Sequence, residues 1–457
     1  MFWHARLPTS DHIARDLNDR LGATQPTLID LPKLARLAGS TRVHNEENHV
    51  SAENTSQKQA AYLVLNAGSS SLKFSAFRQN AQGNDLETLL SGQISGIGSE
   101  ARFEAKSADR RPLGAHTWDT KDSDNRDILL QYVLDWLGTT LVDYDIVAVG
   151  HRVVHGGMNL GQPMQVTPTL LDELDSLVPL APLHQPHNVA PIRILAKNFP
   201  DLKQVACFDT AFHSTQPAMA RHFGLPQALT DEGVCSYGFH GLSYEYVSSH
   251  LRETRPDLAQ GHVVICHLGN GSSLCAVKAG QSMDTSMGFS VLNGVPMGTR
   301  SGSIDPGVLF YLMREKNMGL EALEDLLYRQ SGLLGISGIS NDMKVLQESS
   351  EPAAQKAVDL FCFRVAKEVA AMAASMGGLD ALVFTAGIGE NSPEIRAAVA
   401  QQLAWLGVKV DAAANAKKAY DISAADAKVP VFIVPTNEEK MIAKHTIRVL
   451  GHTLGQA

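Results

Sequence analysis

The chain has 457 residues, of which 44% are hydrophobic and 19% charged, and its net charge is -9. This length allows two or three domains, and the acidic balance argues against nucleic acid as a partner. The sequence has no apolar run long enough to span a membrane, and its five cysteines form no CxxC pair, so we expect a reduced, cytoplasmic protein without membrane segments.

Residues 1–60 differ from the rest of the chain. Ile13, Leu17 and Leu21 are spaced four apart and predict a weak amphipathic helix, and the leucines of 31–37 predict a second short one. Residues 44–60 are polar without periodicity, which is typical of a linker. We interpret 1–60 as a mobile extension or the product of a start codon placed too early; a docking or regulatory arm is the alternative.

Two similar strand–turn–strand units follow. The first begins with the apolar run Tyr62–Leu65 and continues into NAGSSSLK (66–73), and the second is HVVICHLGNGSSLCAV (262–277). Each predicts a buried strand, a Gly/Ser turn and an alternating second strand, which together indicate an internal repeat. A third strand, Ala381–Thr385, precedes a helix capped by Ser392, so strands and helices alternate and the fold class is α/β.

Both Gly/Ser turns are suited to binding an anion. Gly68 allows close approach of the backbone, hydroxyls and turn N–H groups can donate to phosphate oxygens, and Lys73 adds a positive charge. The turn at 267–271 repeats this chemistry, so two such turns could clamp a polyphosphate. Ordinary hairpins are the alternative. The sequence has no G-x-x-x-x-G-K-[ST] motif, which disfavours a P-loop NTPase.

Several polar residues in loops or at strand ends are candidates for chemistry. Arg152 and Arg300 have glycine-containing surroundings and could bind a carboxylate or a phosphoryl group bidentately; surface charge is the alternative. Asp209 follows a strand, and His240 in YGFHG could donate to a phosphoryl oxygen. Glu438 or its neighbour could hold Mg²⁺, or both could be first-turn acids of a helix.

Eleven ordered segments, between about residues 62 and 449, resemble the acetate kinase family of short-chain carboxylate kinases. They are NAGSSSLK, GHRVVHGG, APLHQPHN, FDTAFH, YGFHG, HLGNGSS, DTSMGF, MGTRSG, GLLGISGISNDM, FTAGIGENSPEIR and PTNEE. The resemblance implies an acetate and sugar kinase/Hsp70/actin-like fold, in which two duplicated ribonuclease-H-like domains flank a cleft. We expect one domain over 61–212 plus 444–457, and the other, with the nucleotide site, over 213–443.

The resemblance also implies the reaction and the residues that perform it. The family transfers a phosphoryl group in line and reversibly between ATP/ADP and acetate with Mg²⁺, for which Mn²⁺ is the alternative. It also suggests a homodimer. The implied catalytic residues are Asp209, His240 and Arg300, with the metal at Asn66 and Glu438 and the substrate at Arg152, Val154, Leu183 and Phe239. The implied nucleotide residues are Lys73, His267, Leu268, Gly269, Asn270, Gly271, Asp342, Met343, Lys344, Gly387, Ile388, Gly389, Glu390 and Asn391.

The chain departs from the family pattern at a few positions. Tyr244 stands where the family usually has histidine, Lys344 where it has arginine, and Val291 where a proline usually lines the acyl pocket. The carboxyl group of the substrate is already ionised at neutral pH and needs no deprotonation, so Asp209 is better suited to an orienting or metal-linked role than to acting as a strong base. Because Val291 changes a wall of the acyl pocket, propionate or butyrate kinase activity is the alternative function. A non-catalytic ATP-binding scaffold is a further alternative.

Overall fold

The computed structural model describes residues 58–454, so the helices predicted within 1–60 lie outside the described residues. Residues 59 and 60, assigned to the predicted extension, instead begin the first strand. The strands are β1 Gln59–Ala67, β2 Ser71–Gln79, β3 Leu86–Ser95, β4 Arg102–Ser107, β5 Pro112–Thr117, β6 Tyr144–Val153, β7 Met164–Gln165, β8 Lys203–Phe208, β9 His262–Leu268, β10 Ser272–Lys278, β11 Gln281–Thr285, β12 Ala381–Thr385 and β13 Val431–Ile433.

The helices lie on both faces of the sheets. They are α1 Arg126–Thr140, α2 Pro168–Ser176, α3 Gln185–Asn198, α4 Ala218–Arg221, α5 Gln227–Asp231, α6 Gly241–Thr254, α7 Pro306–Glu315, α8 Leu320–Arg329, α9 Gly332–Ser337, α10 Met343–Glu348, α11 Pro352–Met376, α12 Ala386–Asn391, α13 Pro393–Gln402, α14 Ala412–Ala416 and α15 Glu438–Val449. Helix α11 ends at Gly377, which has a left-handed backbone, and the Ser392 side chain caps α13 as predicted.

The two sheets repeat one topology. The first has the order β5-β4-β3-β2-β1-β6-β8-β7 and the second β11-β10-β9-β12-β13. In each, an antiparallel hairpin (β1–β2 or β9–β10) is followed by two strands parallel to its first strand. This shared order confirms the predicted duplication of a ribonuclease-H-like unit.

The expected alternation in the second hairpin is wrong. Six of the seven residues of β10 are buried, because both faces of the second sheet are covered. Leu274 and Ala276 belong to the core beside α11, whereas Cys275 and Val277 belong to a core that includes α6. A strand that is buried on both faces is not expected to alternate between apolar and polar residues.

Helices α6 and α15 connect the two halves of the molecule. Tyr244 and Val247 of α6 pack in the core of the second sheet, and Ile442 and Ile447 of α15 pack in that of the first. The helices are joined by a 2.8 Å contact between His445 Nε2 and a Glu245 carboxylate oxygen. The predicted domain boundary at 443/444 falls inside α15. The whole helix comes after the last strand of the second sheet, so the chain returns to the first sheet before residue 444.

Two expectations about composition can be compared with the described residues 58–454. Within them, no helix is both long enough and apolar enough to cross a membrane. All five cysteines have free thiols and are buried.

Candidate active site

Arg152 and Asp209 form the centre of a polar cluster at the edge of the first sheet. Arg152 lies near the end of β6 and Asp209 directly follows the adjacent parallel strand β8. Arg152 Nε donates to Asp209 Oδ1 at 2.9 Å and Nη2 donates to Oδ2, so the pair is bidentate. The Asp209 side chain is 1% exposed and that of Arg152 is 22% exposed. Part of the Arg152 side chain thus stays accessible while the carboxylate is fully covered.

Asn66 and Glu438, the two predicted metal ligands, lie beside this pair. Arg152 Nη1 donates to Asn66 Oδ1 at 3.3 Å, and Arg152 Nε is 3.9 Å from a Glu438 carboxylate oxygen. Burial raises the pKa of Glu438 to about 7; Arg152 opposes this shift and Asp209 adds to it. A bound cation would favour the ionised carboxylate.

The donor set fits Mg²⁺. Asn66 and Glu438 offer hard oxygen ligands, and Mg²⁺ usually takes one or two protein carboxylates together with waters and substrate phosphates. Residues 58–454 contain no group of three or more His, Cys, Asp or Glu side chains suited to a metal ion.

His240 lies at the start of α6 against the Gly/Ser turn at 267–271. Its backbone is left-handed (φ 58°), which is uncommon for a residue other than glycine and is often found at functional sites. Its ring stacks on that of His267 with centroids 4.2 Å apart. Burial lowers the pKa of His240 well below its usual range, and His267, Arg152 and Arg300 lower it further. The imidazole is therefore neutral.

Arg300 points at the same turn as His240. A methyl group added at Gly271 would lie 3.5 Å from both Arg300 Nη1 and His240 Nε2. Arg300 Nη1 donates to the carbonyl of Val291 at 3.3 Å, and no ion pair with a carboxylate is found for Arg300 among residues 58–454. Burial lowers its pKa, although guanidinium stays charged in proteins. Within the described part of the chain, Arg300 is thus a cation without a carboxylate partner that faces the Gly/Ser turn.

A cavity of about 730 Å³ lies beside this turn and contains many of the predicted nucleotide residues. Its walls come from β9–β10, α10, α12 and the start of α13. The predicted residues that line it are Gly269, Asn270, Asp342, Met343, Lys344, Gly387, Ile388 and Asn391. Lys344 is exposed there and lies 3.8 Å from Glu348, another residue of the wall.

Other predicted nucleotide residues do not line this cavity. Glu390 has a structural contact instead, because its carboxylate accepts from the backbone N–H groups of Ala386 and Thr436. Ala386 has a left-handed backbone (φ 65°), and this acceptor holds the start of α12 in place. Gly389 is a buried residue of α12, and its carbonyl accepts from Arg396. The remaining predicted nucleotide residues lie outside the cavity wall, namely Lys73, His267, Leu268 and Gly271. The positive charge of Lys73 is close enough to His267 to help lower the pKa of its imidazole.

An apolar cluster adjoins the arginines. Val154 and Phe239, two predicted walls of the acyl pocket, belong to it, and Val291 packs against its edge. Its other members are Ala181, Met287 and Met297. Leu183 is not part of the cluster and is 36% exposed, so the structure does not support it as a buried wall.

Some residues of the site were not anticipated from the sequence. His184 is buried, which lowers its pKa to about 4, and the positive charges of Arg300 and Arg152 contribute to this shift. Ser273 lies behind His240, with its hydroxyl 2.8 Å from His240 Nδ1. Both lie in segments that the sequence analysis quoted, and their local glycine and histidine context was the available signal.

Comparison with known proteins places the chain among carboxylate kinases. The model of the acetokinase family matches residues 61–444. The acetate kinase of Nitrobacter hamburgensis is 49% identical over 388 residues, which is 85% of this chain and 96% of that protein. The acetate kinase of Rhodopseudomonas palustris (strain TIE-1) is 47% identical over 392 residues, 85% of this chain and 98% of the relative.

Solved structures give the same result. A propionate kinase from Francisella tularensis superposes with a TM-score of 0.78 at 35% identity, covering 85% of this chain and 99% of that one. The acetate kinase of Porphyromonas gingivalis superposes with a TM-score of 0.77 at 33% identity, covering 86% and 100% of the two chains.

Proposed function

The chain belongs to the acetokinase family, and we propose that it transfers the γ-phosphoryl group of ATP to acetate, reversibly, giving acetyl phosphate and ADP. The observation that carries this proposal is that Arg300 and neutral His240 converge on one turn, between the 730 Å³ cavity and the apolar cluster. Phosphoryl transfer needs such positioning and charge stabilisation more than covalent chemistry.

Each part of the site has a role in this scheme. The nucleotide occupies the cavity, and the acetate methyl group lies against Val154 and Phe239 with its carboxylate at Arg152. A carboxylate oxygen attacks the γ-phosphorus, the bond to the bridging oxygen of ADP breaks, and Arg300 and His240 stabilise the charge on the transferred group. Asp209 accepts two hydrogen bonds from Arg152, which suits an orienting role rather than that of a base.

The proposed metal is Mg²⁺, with Mn²⁺ as a possible substitute. Asn66 and Glu438 would hold it, and when bound it supplies positive charge that neutralises the phosphate oxygens. Lys73, on the strand paired with Asn66, adds positive charge on the same side.

A coupled assay with acetate, ATP and Mg²⁺ tests the reaction. We expect acetyl phosphate from acetate, and ATP from acetyl phosphate and ADP. A protein that binds ATP with neither activity would be the non-catalytic scaffold considered above. A protein that acts on propionate or butyrate much better than on acetate would be the corresponding longer-chain kinase.

Val291 makes propionate the second candidate substrate. It packs at the edge of the apolar cluster, and a propionate kinase is among the structures with a similar fold. We expect Val291→Ala to raise the ratio of kcat/KM for propionate to that for acetate by about 10-fold, because a methylene in an apolar pocket is worth roughly 1–3 kcal/mol. Measuring kcat/KM for both acids checks this.

Val142→Ala is the matched control, since this valine is exposed and lies outside the cluster. An unchanged ratio in Val291→Ala would show that this residue does not limit the acyl pocket.

We also propose a cytoplasmic homodimer that uses helix α7. None of its residues is buried, yet it carries four large apolar side chains that are exposed, namely Val308, Phe310, Tyr311 and Met313. Large apolar side chains grouped in the open on one helix are a feature of interaction surfaces. A second copy of the chain is the proposed partner, since the family suggests a homodimer.

We expect Phe310→Asp to convert the dimer to a monomer, because it would bury a carboxylate in the apolar interface. Sedimentation velocity measures the change. Met219→Asp is the control, as Met219 is 86% exposed and lies outside α7. A Phe310→Asp protein that remained dimeric would exclude α7 as the interface.

A further inference from the structure

A chain of buried hydroxyls lies behind His240. Ser273 Oγ on β10 is 2.8 Å from His240 Nδ1, and the Tyr244 hydroxyl on α6 is hydrogen-bonded to the same Ser273 oxygen. Tyr244 and Ser273 are both fully buried. Tyr244 is four residues after His240 along α6, a spacing that places the two side chains on one helix face.

The positions of the protons decide which group donates in each of these two hydrogen bonds. Burial raises the pKa of Tyr244 well above its usual range, so its hydroxyl keeps its proton. Ser273 Oγ is the hydrogen-bond partner found for that hydroxyl among residues 58–454. If Tyr244 donates to Ser273, then Ser273 donates to His240 Nδ1, and the single proton of the neutral imidazole is on Nε2.

The reverse direction is unfavourable. With the proton on Nδ1, His240 would donate to Ser273, and the hydrogen of either Ser273 or Tyr244 would then have no acceptor among residues 58–454. It would also turn the lone pair of Nε2 toward the anionic phosphoryl group. Only the first arrangement gives both buried hydroxyl hydrogens an acceptor and presents an N–H at Gly271, the position that Arg300 also faces.

We propose that Tyr244 and Ser273 are positioning residues that hold the proton of His240 on Nε2, so that this N–H donates to an oxygen of the transferred phosphoryl group. The proposal deepens the proposed function and rests on it. A phenol whose proton is retained acts as a donor, so Tyr244 fixes the direction of both hydrogen bonds.

The test combines kinetics with NMR on the full-length protein. Tyr244→Phe removes the first donor, and we expect kcat to fall about 10-fold while KM for acetate and ATP changes less than about twofold. In a His240→Ala background the same substitution should have no further effect on kcat, because Tyr244 acts through His240. Tyr246→Phe, on the same helix, is the control and should match the parent protein.

The tautomer is observed directly in protein labelled with ¹⁵N-histidine, with the His240 signals assigned from their loss in His240→Ala. We expect a protonated Nε2 and an unprotonated Nδ1 in the parent protein, and a mixture in Tyr244→Phe. A parent protein with its proton on Nδ1 would overturn the proposal even if the kinase activity is present. An equal loss of kcat from Tyr244→Phe with and without His240 would also overturn it. Absence of activity in the parent protein would instead reject the proposed function.

Discussion

Arg300→Ala is expected to lower kcat by about 10²–10³-fold while the Kd for ATP stays within about threefold. Arg300 faces Gly271 together with His240 Nε2, and it is not part of the wall of the nucleotide cavity. Its charge therefore acts on the transferred group rather than on the resting nucleotide. A donor already in place in a site shielded from water is worth roughly 3–4 kcal/mol of transition-state stabilisation.

Steady-state kinetics and calorimetric titration with ATP measure the two quantities separately. Arg300→Lys keeps the charge but loses the planar fork, so its kcat should lie between those of the parent and the alanine variant. Arg329→Ala is the control, because Arg329 is an exposed arginine paired with Asp325. If Arg300→Ala weakened ATP binding by the same factor as it lowered kcat, Arg300 would be a nucleotide ligand and not a transition-state stabiliser.

The duplicated fold was predictable because each half repeats a local pattern. The runs beginning at Tyr62 and His262 each contain a complete hairpin, and hairpins depend on residues that are close in sequence. The boundary at 443/444 was less accessible. Helix α15 begins beside Glu438, and its packing on the first sheet depends on contacts with residues hundreds of positions away.

The candidate site was predictable where a motif fixed both the residue and its surroundings. The motifs placed Arg152 and Asp209 at the ends of strands, and the two meet because those strands are parallel neighbours, a pairing that the sequence analysis did not predict. The contacts of individual side chains were harder to predict, because sequence neighbours of a functional residue can point elsewhere: Glu390 accepts from two backbone N–H groups, and Leu183 is 36% exposed. The contact of Ser273 with Tyr244 joins a strand to a helix, so local pattern could not reveal it.

The second large effect expected is acid instability of the fold. His151, His155 and His213 are almost fully buried, and burial lowers the pKa of each to about 4. The usual value of about 6.5 applies to the unfolded chain, so between these two values the unfolded state binds more protons than the native state. The stabilisation from neutral histidine is complete above about pH 6.5 and is lost as the pH falls toward 4. Each histidine contributes up to about 1.4 kcal/mol per pH unit in that window.

Urea unfolding at a series of pH values between about 7.5 and 5 measures this dependence, and we expect the free energy of unfolding to fall steeply below about pH 6.5. His151→Gln isolates one group, because glutamine can still donate to Gln204 Oε1, the acceptor 2.8 Å from His151 Nε2. Its slope should be smaller by about 1.4 kcal/mol per pH unit, the amount for one proton. His222→Gln, at an exposed position, should keep the slope of the parent. A His151→Gln slope equal to that of the parent would mean that this ring is not held neutral by the fold, and would assign the acid sensitivity to other groups.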